Sequence, residues 1–197
     1  TQVVGINLVM NHGDLPDTGT LSVRLGDLPY VTGVAADPTL TAADITHLAF
    51  LQAVGFASTT PAATATATTT SATEFDVVFD VTNADSYAGG IATFDDYGTT
   101  PAVESADLSA LTDITLGLAL AAGTGTVYLE LEDATGATDS VRLLNVGTTE
   151  QFYEVALNLF SGVDLTQVVG INLVMNHGDL PDTGTLSVRL GDLPYVA

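Results

Sequence analysis

The sequence predicts an all-β fold, a jelly-roll β-sandwich of about eight strands, on three observations. Apolar residues recur at period two in a series of short segments, Gly, Asp and Asn separate those segments, and only one stretch carries helical spacing. From Glu74 the alternation is clear: Phe75, Val77, Phe79 and Val81 share one face, while Asp76, Val78 and Asp80 share the other. A segment from Ile91 to Phe94 follows. The same test then picks out Ile114-Leu116-Leu118-Leu120, Val127-Leu129-Leu131, Val141-Leu143, Tyr153-Val155-Leu157, Val169-Ile171-Leu173-Met175 and Leu186-Val188-Leu190. Asp133-Ala134-Thr135-Gly136 suits a tight turn between two of these strands, because Asp caps backbone amides and Gly accepts a positive φ. Many short strands with turn residues between them favour a sandwich over a mixed α/β layer.

Upstream of Glu74 the composition changes. Ile45, Leu48, Ala49 and Gln52 fall at helical spacing, with Thr41 placed to cap the start and Gly55 the end, which predicts one short helix over residues 42–54. Residues 57–73 are almost wholly Ala, Thr, Ser and Pro and lack large apolar groups. That composition predicts an interdomain linker or an extended strand laid along a neighbour, and its threonines are candidates for O-glycosylation.

The strongest feature is internal repetition. Residues 1–31, TQVVGINLVMNHGDLPDTGTLSVRLGDLPYV, recur letter for letter as residues 166–196, a period of 165 residues. Solenoid repeats run to about 20–50 residues, so this period is the size of a whole domain. Identity at every position implies recent duplication, continual homogenisation or deliberate design. The expected organisation is therefore three segments. Residues 1–31 are the last two strands of a preceding repeat, 32–73 a connector with the short helix and Ala/Thr-rich linker, and 74–197 the jelly-roll domain.

Charge narrows the partners. The 197-residue chain has 24 Asp and Glu against three Arg and no Lys, a formal net charge of -21. Such a chain is repelled by nucleic acid and by anionic membrane surfaces, and no apolar run reaches the roughly 18 residues of a spanning helix. With no Cys, disulfides and thiolate metal sites are excluded. His12 and His177 occupy one repeat position in a turn and His47 lies on the expected helix; neither place has a second His at metal-ligand spacing. No G-x-S-x-G is present, and no other catalytic constellation is visible, so no enzyme activity is expected.

Three runs of sequence carry a family resemblance: Phe94-Asp95-Asp96-Tyr97-Gly98, then Asp107-Leu108-Ser109, then Leu129-Glu130-Leu131-Glu132-Asp133-Ala134-Thr135-Gly136. Together with Phe152-Tyr153-Glu154-Val155-Ala156-Leu157, the stretch from Phe160 to Ile171, Gly184-Thr185-Leu186-Ser187-Val188 and Asp192, they resemble the galactose-binding-like jelly-roll modules that accompany glycoside hydrolases. The resemblance covers about residues 74–196. It implies a β-sandwich and, in many members, carbohydrate binding on a concave sheet and a structural calcium ion between the first and last strands. Asp76 and Asp192 match that family's first-strand and last-strand carboxylates; Asp95 with Asp96 and the Asn176-His177-Gly178-Asp179 loop are rival cation sites, and all four places are equally suited to turn-forming carboxylates.

For sugar, the candidates are Tyr128, Glu130 and Arg142. Tyr128, Glu130 and Glu132 share the face opposite Leu129 and Leu131, and the turn at 133–136 places Arg142 opposite Tyr128. This is a minimal sugar subsite or an exposed cross-strand Tyr and Arg pair. Absence of Trp weighs against an extensive stacking platform. Two functions are expected from these facts. The first is a structural or adhesive repeat unit of an extracellular fibre or cell-surface protein, whose partners are neighbouring copies of itself. The alternative is a non-catalytic carbohydrate-binding module of a multimodular secreted protein, whose partners are glycans.

Overall fold

A computed structural model of the chain describes residues 30–32, 34–35, 50–95 and 103–191. Its strands are β1 (Tyr30–Thr32), β2 (Val34–Ala35), β3 (Gln52–Ala57), β4 (Thr64–Thr69), β5 (Glu74–Asp80), β6 (Tyr87–Thr93), β7 (Asp113–Leu120), β8 (Gly125–Asp133), β9 (Thr138–Val146), β10 (Gln151–Ala156), β11 (Val168–Asn176) and β12 (Thr183–Gly191). They form two six-stranded sheets, β1-β9-β8-β11-β6-β3 and β2-β10-β7-β12-β5-β4. All pairings are antiparallel except that of β1 with β9. The all-β jelly-roll sandwich expected from the sequence is the fold observed.

Alternation decides which side chains meet between the sheets. Val127, Leu129 and Leu131 of β8, Val141 and Leu143 of β9, and Ile171, Leu173 and Met175 of β11 are fully buried. They face Phe75 and Val77 of β5, Ile114, Leu116 and Leu118 of β7, and Leu186 of β12, buried to the same degree. Burial of each such side chain contributes about 1.5–3 kcal/mol. Tyr153 is also enclosed, and its hydroxyl donates to the Leu144 carbonyl at 3.0 Å, so its ring fills the core without stranding a polar atom. Burial pushes its phenol up to about 12.

The stretch before Glu74 departs from expectation. Residues 52–54, the end of the predicted helix, lie in β3; residues 42–49 lie outside the described residues. The helical spacing of Ile45, Leu48 and Gln52 competes with a period-two pattern that starts at Gln52. Ala53, Gly55 and Ala57 fall on one side of β3 and Val54 and Phe56 on the other, and pairing with β6 makes the second pattern prevail. The Ala/Thr-rich stretch is no interdomain linker. Thr64 to Thr69 form β4, an edge strand of the second sheet laid against β5, which is the extended-strand option. Thr64, Thr66 and Thr68 are exposed, while Ala65 and Ala67 pack against the core. The sandwich thus extends upstream of residue 74, since β1 to β4 all belong to its sheets.

Small residues on this side are required because the sheets approach closely there. A Cβ on Gly55 would stand 2.7 Å from the Ala65 carbonyl oxygen, and one on Gly90 would stand 2.4 Å from Val77 Cγ2. Phe50, just before β3, meets Phe75 edge to face at 5.5 Å between ring centroids, which fastens the entry to β3 onto the second sheet.

The turn between β8 and β9 forms as the Asp-x-x-Gly pattern demands. Gly136 has φ +80°, and Asp133 Oδ1 accepts from the Thr135 amide and hydroxyl and from the Ala137 amide. Its Oδ2 accepts from the Asp164 amide at 2.9 Å, tying the hairpin to the loop that leads into β11. These donors, the Asp164 amide foremost and the Thr135 hydroxyl next, hold the Asp133 carboxyl at about 2, below its ordinary 3.8.

Two predictions follow from this packing. Gly55→Ala drives a methyl into the β4 backbone and costs about 1–3 kcal/mol, seen as a lower Tm by calorimetry; an unchanged Tm would place residues 57–73 outside the sandwich. Asp133 has a depressed folded pKa, so its contribution is complete above about pH 4 and disappears as pH falls towards 2. Asp133→Asn should lower the Tm at pH 7, with the gap to wild type closing between about pH 4 and pH 2.

Candidate functional site

The outer face of the first sheet carries a cleft of about 690 Å³. Its composition follows from cross-strand register. One row runs Phe56, Gly89, Val174, Tyr128, Arg142 across β3, β6, β11, β8 and β9, and the next runs Val54, Ile91, Asn172, Glu130, Ser140. Both rows show apolar groups at the β3 edge and polar groups towards β9. Tyr87 and Asn176, paired across β6 and β11, stand at one end of the cleft, with Glu132 towards the other.

Glycine sets the shape of the apolar half. A Cβ on Gly89 would lie 2.2 Å from Phe56 Cζ, and one on Gly170 would lie 2.3 Å from Ile91 Cδ1. The Phe56 ring and the Ile91 chain therefore lie across neighbouring strands where a side chain would otherwise stand. Tyr87 and Val54 remain 44% and 36% exposed, so the cleft presents a ring and an apolar flank to solvent.

The polar half is held by hydrogen bonds. Tyr128 donates its hydroxyl to Asp179 Oδ2 at 3.0 Å, and Asn176 Nδ2 reaches the same oxygen at 3.5 Å. Burial first, and the bond to Asp179 second, push the Tyr128 phenol up. Glu130 accepts from Asn172 Nδ2 at 3.0 Å and from the Ser140 hydroxyl at 3.2 Å, which fixes its carboxylate. Two polar atoms are left over: Asn172 Oδ1, in a residue only 5% exposed, and Arg142 Nε are both buried and have no hydrogen-bond partner among the described residues. Asn172 lines the cleft floor, whereas Arg142 is not among the residues that line it; a buried polar group without a partner is costly.

Of the three sequence candidates, Tyr128 and Glu130 line the cleft, and Arg142 is not among its lining residues. Tyr128 stands opposite Arg142 as the turn predicted, with Glu130 two residues along on the same face. Phe56, Tyr87, Ile91, Asn172 and Asn176 were not anticipated. Asn172 and Asn176 did carry a local signal, since they occupy the outward positions of a strand whose inward positions are Ile171, Leu173 and Met175; Phe56 carried the same signal in a segment read as helix and linker.

The cation candidates are less gathered. Asp76 lies on the outer face of β5, in register with Thr68 and Ser187, whereas Asp192 lies outside the described residues, as does Asp96. Asp179 is engaged by Tyr128, and His177 Nδ1 lies 2.8 Å from the Val81 carbonyl and 3.4 Å from Asp182. Among the described residues no three carboxylates or histidines are grouped as a metal ion would need. The second sheet has a smaller depression of about 300 Å³ whose cation is committed. Arg189 Nε donates to Glu150 at 2.9 Å, and its terminal nitrogen lies 3.2 Å from Glu74.

No family model matches the sequence, and no curated protein is significantly similar to it. Among solved structures, an exo-beta-agarase is similar at a TM-score of 0.50 and 12% identity, with 76% of this chain covering 26% of that one. A family 11 carbohydrate-binding module from Clostridium thermocellum, in complex with a beta-1,3-1,4-mixed-linked tetrasaccharide, is similar at 0.49 and 13%, over 84% of this chain and 99% of that one. A family 30 carbohydrate-binding module of a Clostridium thermocellum cellulosomal cellulase is similar at 0.45 and 12%, over 75% and 92%. At these identities the likeness is one of fold alone, a β-jelly-roll. Among the described residues no helix is long and apolar enough to cross a membrane.

One test follows from the site's hydrogen bonds. Asp179→Asn removes a negative acceptor from Tyr128, so the Tyr128 titration followed by ring-carbon NMR should move down towards the ordinary 10 without reaching it, since burial remains. No movement would mean that burial alone sets it.

Proposed function

We propose that the chain is a non-catalytic glycan-binding module that takes a neutral polysaccharide along the cleft of the first sheet. The observation that carries this reading is the cleft's division of labour. An apolar side with the exposed Tyr87 ring suits the C–H face of a pyranose, and a polar side lined by Tyr128, Glu130, Ser140, Asn172 and Asn176 suits its hydroxyl groups. Few, convergent polar groups set in an apolar concavity are the usual make-up of a small-molecule or oligomer site. Glu130, Glu132 and Asp179, in a chain of net charge -21, disfavour uronate or sulfated polymers. The jelly-roll fold is compatible with this role, and such a module acts outside the cell, where polysaccharides are met.

The second reading, a structural or adhesive repeat unit at the cell surface, is favoured by the letter-for-letter recurrence of residues 1–31 at 166–196. The two readings are compatible, because tandem copies of a weak binding module gain avidity without new contacts.

Affinity electrophoresis through gels holding neutral β-glucans, galactans, mannans or xylans, with alginate and pectate alongside, separates them. Retardation on a neutral polymer is expected, weakened about tenfold or more by Tyr128→Ala and by Asn172→Leu. Free migration through every neutral gel, or retardation indifferent to both substitutions, would leave the structural reading in its place.

A further inference from the structure

The strand boundaries and the internal repeat, taken together, locate the joints of the molecule. The upstream residues 3–11 and 18–26 carry the sequences of β11 and β12. Both of those strands are internal: β11 lies between β8 and β6, and β12 lies between β7 and β5. A single sandwich therefore has one place for each sequence, and residues 168–176 and 183–191 fill both. At the other end, Tyr195-Val196 repeat Tyr30-Val31, and Tyr30 is where β1 begins. With β12 ending at Gly191, three residues, Asp192, Leu193 and Pro194, separate the last strand of one unit from the counterpart of the first strand of the next.

We propose that the protein is an array in which each sandwich runs from the position of Tyr30 to that of Gly191, and that the Asp-Leu-Pro tripeptide alone joins one sandwich to the next. By sequence, residues 3–11 and 18–26 are then the counterparts of the two central strands of a preceding unit, and Asp27-Leu28-Pro29 the counterpart of the Asp192-Leu193-Pro194 joint. Four Cα steps from Gly191 to Tyr195 reach at most about 14 Å. Proline fixes its own φ and biases the Leu before it to an extended conformation. Such a joint holds neighbouring sandwiches close, in a restricted range of orientations, and gives a rod instead of beads on a loose string. The inference is independent of what the cleft binds.

The paired positions Ile6 and Ile171 test it in the full chain. Ile171 is fully buried in β11, so Ile171→Asp should abolish the native cooperative transition, whereas Ile6→Asp should leave the Tm within about 1 °C. Equal damage from Ile6→Asp, or tolerance of Ile171→Asp because the upstream copy takes its place, would overturn the assignment of the two copies to different sandwiches. Lengthening the chain by one further 165-residue period should then add one complete folded unit, seen as a calorimetric unfolding enthalpy raised in proportion. Small-angle scattering should give a single elongated particle. An unchanged enthalpy, or scattering from two freely jointed bodies, would overturn the position of the joint or its stiffness.

Discussion

The sandwich depends on one consecutive stretch of chain, residues 168–191, that places a central strand in each sheet. β11 is hydrogen-bonded on both sides in the first sheet and β12 on both sides in the second, while the inward residues of the two strands, Ile171, Leu173, Met175, Leu186 and Val188, meet in the core. Pulling the stretch out would split each sheet and leave new strand edges bare. Its turn is fastened as well: the His177 amide donates to the Ser86 carbonyl, and the Val81 amide donates to the Asp182 carbonyl at 2.7 Å. The outward face of β11 supplies Asn172 and Val174 to the cleft, so the segment that holds the fold together also forms the floor of the site.

That segment was legible in the sequence because its alternation is carried by large side chains. β5, β7, β8, β9, β10 and β12 were legible for the same reason: Phe, Leu, Ile and Val at every second position leave little room for another reading. β3 and β4 obey the same rule with small residues. Their inward positions are Ala53, Gly55, Ala57, Ala65 and Ala67, and at Gly55 the sheets come so close that even a Cβ would meet the Ala65 carbonyl. Hydrophobic size is therefore lowest where packing is tightest, and a search for large apolar groups reads such a strand as a linker. The alternation itself was present in Thr64 to Thr68, with β-branched residues outward and Ala inward, as a pleated edge strand requires.

The candidate site divides along the same line. Tyr128, Glu130 and Arg142 were accessible from sequence because one tight turn relates β8 to β9, and the register of a hairpin follows from its turn. The rest of the cleft comes from pairings between strands far apart in the chain, β8 with β11, β11 with β6 and β6 with β3. No local rule gives the order of strands in a sheet. That order places Ile91 beside Asn172 and Tyr87 beside Asn176, and brings Tyr128 and Glu130 into one cleft with Phe56.

Electrostatics separates the two outer faces. On the second sheet Arg189 is neutralised by Glu74 and Glu150, and Gly117 leaves the room that lets Glu150 lie over β7 to reach it. Ion pairs of this kind near the surface contribute little to stability. On the first sheet Glu130 is occupied by Asn172 and Ser140 and Tyr128 by Asp179, while Arg142 Nε and Asn172 Oδ1 are buried without a partner among the described residues. A polymer of hydroxyl groups can satisfy a donor and an acceptor in one approach, which a simple anion or a simple cation cannot.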